Sequence, residues 1–187
     1  HAHRMIEACR RADVPILVGG RGFGVDGRWA RRLGVPWARD ARAAAEALAD
    51  ERVLADPPPE DLAHLADDEY TGLVRRRTEL ISGALADLRR RFPAVRSYTG
   101  PQLDATVADL GHIVDFLGAA VYVDDGTLFT DFVVWLAEIL ESRRVPAASV
   151  GLTIAEFAAA LRDFPRAARF LAAGQEALDA VLSRSPG

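Results

Sequence analysis

Four glycines, Gly19, Gly20, Gly22 and Gly24, follow directly on the aliphatic run Val14-Pro15-Ile16-Leu17-Val18. This stretch has the clearest capacity for binding chemistry. Glycine takes positive φ readily, and without a β-carbon it lets a neighbouring backbone or a ligand lie close. A short apolar run between helical patterns reads as an inner strand of a parallel sheet, and ligands of such sheets sit beyond the strands' carboxyl ends. The spacing excludes two common nucleotide cradles. Gly20-x-Gly22-x-Gly24 runs into Val25, so the dinucleotide fingerprint G-x-G-x-x-G is not met, and no Gly-Lys-Ser/Thr of a P-loop occurs.

Groups for acid–base, nucleophilic or metal chemistry are sparse. Asp67-Asp68-Glu69 and Asp124-Asp125 are adjacent carboxylates, but neighbours in sequence do not face each other on a helix. They read as a solvated face and a turn. Ser82, Ser97 and Ser149 have neither a glycine elbow nor a nearby histidine. Cys9 falls on the apolar side of its helix and reads as packing. His112 lies among apolar residues in Asp109-Leu110-Gly111-His112-Ile113-Val114. There it reads either as a partly buried histidine bonded to a neighbouring helix or as a ligand to a haem-like group. His64 reads as solvated. No His, Cys, Asp or Glu set has metal-ligand spacing, and no Glu-x-x-His occurs. Binding rather than catalysis is expected.

Composition narrows the classes further. The chain has 187 residues, half of them apolar, which allows one large core or two modest ones. Its net charge of -4 gives no footprint for nucleic acid or an anionic membrane. Every basic residue other than histidine is arginine, a bias that fits a GC-rich genome. The single cysteine excludes an internal disulfide and suits a reducing cytoplasm. No stretch approaches the roughly eighteen uninterrupted apolar residues of a membrane span, and the first residues do not read as a signal peptide. The chain opens in mid-helix without an initiator Met, so a fragment lacking its upstream part is expected.

The elements that must position the glycine turn follow from periodicity. His1–Ala12 reads as an amphipathic helix with Met5, Ile6, Cys9 and Ala12 inward, ended by Asp13. The strand Val14–Val18 comes next. Asp26-Gly27-Arg28 opens a second helix with Trp29, Ala30 and Leu33 inward and Gly34 closing it. Val35-Pro36-Trp37-Ala38 reads as a short edge strand, and Asp40 as the cap of an alanine-rich third helix. Asp56-Pro57-Pro58-Pro59 marks a stiff spacer. Beyond it the pattern is helical throughout. A long helix carries Leu62 to Leu88, with a break expected near Gly72, and ends at Arg89-Arg90-Arg91. Two more hold Leu103–Val121 and Leu128–Leu140. A short one runs from Thr153 to Leu161, and a last one starts at Pro165. Any pocket in this half is expected between the helices of Leu103–Val121 and Leu128–Leu140.

The pattern Cys-Arg-x-Ala-x-Val-Pro-Ile-Leu-Val-Gly-Gly-Arg-Gly-Phe-Gly, followed by Leu33-Gly34-Val35 and Trp37-Ala38-Arg39-Asp40-Ala41, closely resembles the end of the cobalamin-binding domain family. The resemblance covers about Met5 to Leu48. It implies a Rossmann-like, flavodoxin-type sheet whose Gly-Gly pair lies against the cofactor's nucleotide tail. By that resemblance Gly19 and Gly20 are the binding positions, with Arg21, Gly22 and Phe23 as neighbours. A side chain at the pair would occupy the channel that receives the dimethylbenzimidazole. The family's Asp-x-His-x-x-Gly and Ser-x-Leu motifs do not occur in this chain, and their place would be upstream. His1 and His3 do not match the first of them, so no metal ligand is assigned. Leu128-Phe129-Thr130-Asp131-Phe132-Val133-Val134-Trp135-Leu136, with Arg144-Val145-Pro146, is similar to helical sensor modules found beside such domains.

The expected architecture is therefore α/β plus all-α. Residues 1–52 would be the C-terminal portion of a doubly wound, flavodoxin-like cobalamin-binding domain, 53–60 a proline-rich linker, and 61–187 a helical bundle or globin-like domain. The expected function is that of a cytoplasmic cobalamin-binding regulator or sensor, with a protein partner or a homodimer formed through the helices. Two alternatives stand beside it. One is the cobalamin module of a methyltransferase or mutase; the other is a helical interaction module whose α/β part no longer binds a ligand.

Overall fold

The computed structural model describes residues 2–49, 68–143 and 145–184. It is 75% helical, and its sheet consists of two strands. The chain divides into two compact units, residues 1–63 and 64–187. The expected proline-rich spacer and the helical positions Leu62 and Leu65 lie outside the described residues.

The first unit is small. Helix α1 (Ala2–Arg11) buries His3 and Ile6 and leaves Met5 68% exposed, so its inward face is turned from the expected one. Strand β1 (Val18–Gly19) pairs in parallel with β2 (Trp37–Ala38), Val18 opposite Trp37 and Gly19 opposite Ala38. Between them stands α2 (Arg28–Arg32), which buries Trp29 and Ala30. Its end is held from α1: Arg10 Nη2 donates to the carbonyls of Leu33 (2.6 Å) and Gly34 (3.1 Å), a cation at the C-cap and the residue after it. Helix α3 (Ala41–Leu48) follows β2 and buries none of its side chains.

This arrangement overturns the flavodoxin-like expectation. Of the apolar run, only Val18 enters the sheet, and Val14 is half exposed. Two strands of two residues cannot bury two faces, so the doubly wound layering is not built. Periodicity identifies a run that could sit inside a sheet; it cannot supply the neighbouring strands.

The second unit is a helical bundle. Helices α4 (Glu69–Arg75) and α5 (Arg77–Arg91) are nearly continuous, and the break falls at Arg76 rather than Gly72. Arg76 fixes the break. Its guanidinium donates to the Ala160 carbonyl (2.9 Å), pairs with Glu79 (2.9 Å) and lies over the Phe164 ring. Gly72 lies inside α4, and that same ring occupies the space a β-carbon there would take, at 2.7 Å. After a tight turn at Pro93–Ser97, α6 (Gly100–Val123) begins with Pro101 in its first turn and Gln102 Oε1 accepting from the Thr99 N–H (2.9 Å).

Asp124 ends α6 in the left-handed region at φ 50°, and Asp125 caps the next helix by accepting from Thr127 N (3.0 Å) and Oγ1 (2.7 Å). That helix, α7 (Thr127–Ser142), packs on α6 and on α9 (Pro165–Leu182), while α8 (Ala148–Ala160) packs on α5 and α9. Phe129 and Phe157 are wholly buried at these contacts, each contributing about 1.5–3 kcal/mol of apolar transfer. Gly174 on α9 lets the Phe129 ring approach; an added β-carbon would stand 2.6 Å from it.

Candidate functional site

An open cleft of about 530 Å3 lies at the carboxyl ends of β1 and β2. Gly19 and Gly20 form one side of it, and Ala38, Asp40, Ala41 and Ala44 contribute the other. Parallel pairing causes this juxtaposition, because both strands leave the sheet at the same end. The two glycines serve different needs. At Gly19 a β-carbon would meet the Ala38 carbonyl oxygen at 3.0 Å, so the pairing itself requires glycine. Gly20 has φ 87°, a left-handed backbone that disfavours side chains, and a β-carbon there would meet no atom within 4 Å. Its side-chain position is free space.

The cleft carries little net charge. Arg39 and Asp40 pair with each other at 3.1 Å. Asp40 also caps α3, accepting from the Ala43 N–H at 2.8 Å, and this bond, helped by Arg39, holds its carboxyl below the usual carboxylate range. A capped, carboxylate-bearing helix start repels a phosphate rather than inviting one. A mostly apolar wall, with Leu17 and Leu48 beside the glycines and alanines, and balanced charge suit a neutral, flat group.

Of the residues expected to bind, Gly19 and Gly20 line this cleft, whereas Arg21, Gly22 and Phe23 form a single 3-10 turn beyond it. The strand-end Ala38 and Asp40 on the opposite side are legible in the sequence only as a strand end and a helix cap. Their role in the cleft follows from the parallel register, which single-strand patterns do not specify. Nearby, Gly27 (φ 74°) lies flat on the Trp37 indole, where a β-carbon would stand 2.4 Å from the ring. The buried Trp29 and Trp37 indole N–H groups have no hydrogen-bond acceptor among the described residues.

The helical unit places the other chemistry-bearing residues apart. Glu69 is not part of a solvated acidic face. It is buried, and its carboxylate accepts from the backbone N–H groups of Arg166 (3.1 Å) and Ala167 (3.1 Å) at the start of α9. Asp115 holds Arg77 through two bonds of 2.8 and 2.9 Å. Asp87, buried on α5, accepts from Arg91 (3.0 Å) and pairs with Arg90. His112 is exposed on α6 rather than turned into the core, which removes the haem-like reading. No group of three or more His, Cys, Asp or Glu able to hold a metal ion occurs among the described residues.

One further feature of this unit is an aromatic face. Phe116 of α6 stacks on Phe132 of α7 with ring centroids 3.9 Å apart, and Trp135 stands 6.0 Å from Phe132. Phe116 is 39% and Trp135 54% exposed. Helix α6 is, among the described residues, the helix long and apolar enough to cross a membrane, and 56% of its apolar window is buried in the bundle.

No family model matches the chain, and no curated protein matches it.

Proposed function

We propose that the protein is a cobalamin-binding regulator or sensor and that the cleft beside Gly19 and Gly20 receives the neutral base of the cofactor's nucleotide tail. One observation carries the reading: at Gly20, where the family resemblance puts the cofactor, the side-chain position opens into a mostly apolar cleft of balanced charge, with no atom within 4 Å. Gly19 and Gly20 would lie against the ring, Ala38 and Ala41 would face it, and the Arg39–Asp40 pair would stand at the rim. Bound cobalamin supplies a cobalt centre whose ligand exchange or redox state can serve as a signal. None of the described residues is assigned to the metal. The cofactor's occupancy would shift the population of conformations presented to a protein partner or a second copy, in the reducing cytoplasm that a lone free cysteine suits.

The test is the absorbance of the natural full-length protein after incubation with hydroxocobalamin and removal of free cofactor. A corrinoid spectrum retained by the protein and lost in Gly20→Trp is the expected result. A protein that stays colourless overturns the reading.

A second reading is a helical interaction module, favoured by the exposed Phe116 and Trp135 beside buried Phe132. Exposed aromatic patches on helical domains are frequent contact surfaces. It is distinguished by binding a protein partner with equal affinity whether or not hydroxocobalamin is present, and by losing that partner on Trp135→Ala.

A further inference from the structure

Where the end of α5, the Pro93–Ser97 turn, α6, α7 and α8 meet, the bundle leaves a cavity of about 60 Å3. Most of its wall is aliphatic, and Asp109 is the carboxylate that lines it. Three of the four hydroxyls lining it have committed their protons elsewhere, and the phenol O–H of Tyr98 is the fourth. Thr106 Oγ1 donates to the Gln102 carbonyl (2.9 Å), Ser149 Oγ to Pro146 (2.9 Å) and Thr153 Oγ1 to Ser149 (3.0 Å). What these groups still offer is acceptor lone pairs. Asp109 accepts no hydrogen bond from the described residues. Acceptors at Asp109, Thr106, Ser149 and Thr153 therefore outnumber the one uncommitted donor, the Tyr98 phenol, in a largely aliphatic wall.

We propose that this cavity binds a small alkylammonium ion, its N–H donors meeting Asp109 and the threonine and serine oxygens and its short chain meeting the aliphatic wall. Size supports the assignment. A water-sized position needs roughly 10–15 Å3, so the cavity holds about four to six of them, the span of an ammonium with a chain of about two or three carbons. The charges facing Asp109 are His112 on its own helix and Arg143 at the end of α7, and both are exposed and screened by water. Burial pushes the Asp109 carboxyl above its ordinary range, against the opposing pull of His112 and Arg143, so an arriving cation adds counter-charge directly at the cavity wall. The proposal does not depend on the cobalamin reading, because it concerns a different unit.

The test is an amide chemical-shift titration of the protein with ethylammonium chloride, run beside sodium chloride and ethanol. Saturable shifts confined to residues around Asp109, Ser149 and Thr153, absent with either control, are expected. Asp109→Asn should weaken binding roughly tenfold or more, as loss of a charge-assisted bond requires. Thr106→Leu, on the half-exposed side of α6, should block the cavity with Asp109 intact and decides the matter if the asparagine variant does not fold. Non-saturating shifts, equal shifts with ethanol, or undiminished binding in a folded Asp109→Asn or Thr106→Leu variant would overturn the proposal, leaving water as the occupant.

Discussion

The carboxylate of Glu69 caps a helix that begins nearly a hundred residues later: both its oxygens lie 3.1 Å from the backbone N–H of Arg166. The Arg166 side chain lies alongside at 3.6 Å and donates to the Val121 carbonyl at 2.9 Å, so α4, α6 and α9 share one buried charged knot. Breaking a buried pair leaves a charge without compensation. Glu69→Ala should cost about 3 kcal/mol, and Glu69→Gln clearly less because it retains an acceptor. Urea unfolding followed by circular dichroism measures both. A near-neutral Glu69→Ala would refute the cap.

Gly174 and Gly100 make a matched pair for testing packing. Alanine at Gly174 would drive a β-carbon to 2.6 Å from the Phe129 ring, which is fully buried and has nowhere to move. Overpacking of that kind costs about 1–3 kcal/mol and outweighs alanine's helix preference of up to ~1 kcal/mol. At Gly100 a β-carbon meets nothing within 4 Å, and alanine there should be neutral or slightly stabilising. The two melting temperatures, compared with wild type, settle the contrast.

In the cleft, backbone strain and ligand exclusion can be separated. Any residue at Gly20 must adopt φ 87°, costing about 1–2 kcal/mol, so Gly20→Ala and Gly20→Trp should be destabilised alike. Only the tryptophan fills the cleft. Retained cobalamin absorbance in Gly20→Ala and its loss in Gly20→Trp is the expected pattern. Gly22, with open space around it and no positive φ, should accept alanine without consequence for stability or absorbance.

Asp109 should make the helical unit's stability depend on pH. Burial raises its folded-state pKa above the ordinary 3.8, with His112 and Arg143 opposing the shift. A group whose folded pKa is raised binds its proton more tightly when folded. Its contribution is therefore present below the ordinary value and is lost as pH rises through the folded one. Asp109→Asn should be more stable than wild type near pH 7, with the gap closing toward about pH 4. Denaturant midpoints across that range give the answer; a constant gap would contradict it.

Sequence patterns carry the bundle further than the α/β unit, for a physical reason. Leu110, Val114, Leu117 and Val121 recur at helical spacing, and all are buried on α6. Such regularity is local and can be read from one segment. The start of α8 at Ala148, five residues before the expected Thr153, carries no capping side chain to announce it. Glu69 escapes local reading because its partners lie on another helix, and nothing in Asp-Asp-Glu distinguishes a cap from a solvated run. Likewise Gly19 and Gly20 stand out as glycines, while Ala38 and Asp40 become their neighbours only through strand pairing. Asp109 offers no signal at all, since a cavity is a property of several helices together.

Three glycines in the bundle, Gly72, Gly126 and Gly174, each lie against an aromatic ring, of Phe164, Phe170 and Phe129 respectively, at distances a β-carbon could not share. Each pair is one volume divided between two residues. Across divergent relatives such positions should drift together, a glycine gaining a methyl only where the opposite ring gives way to a smaller side chain. Paired changes of that kind would mark this bundle in other chains after its surface had altered completely.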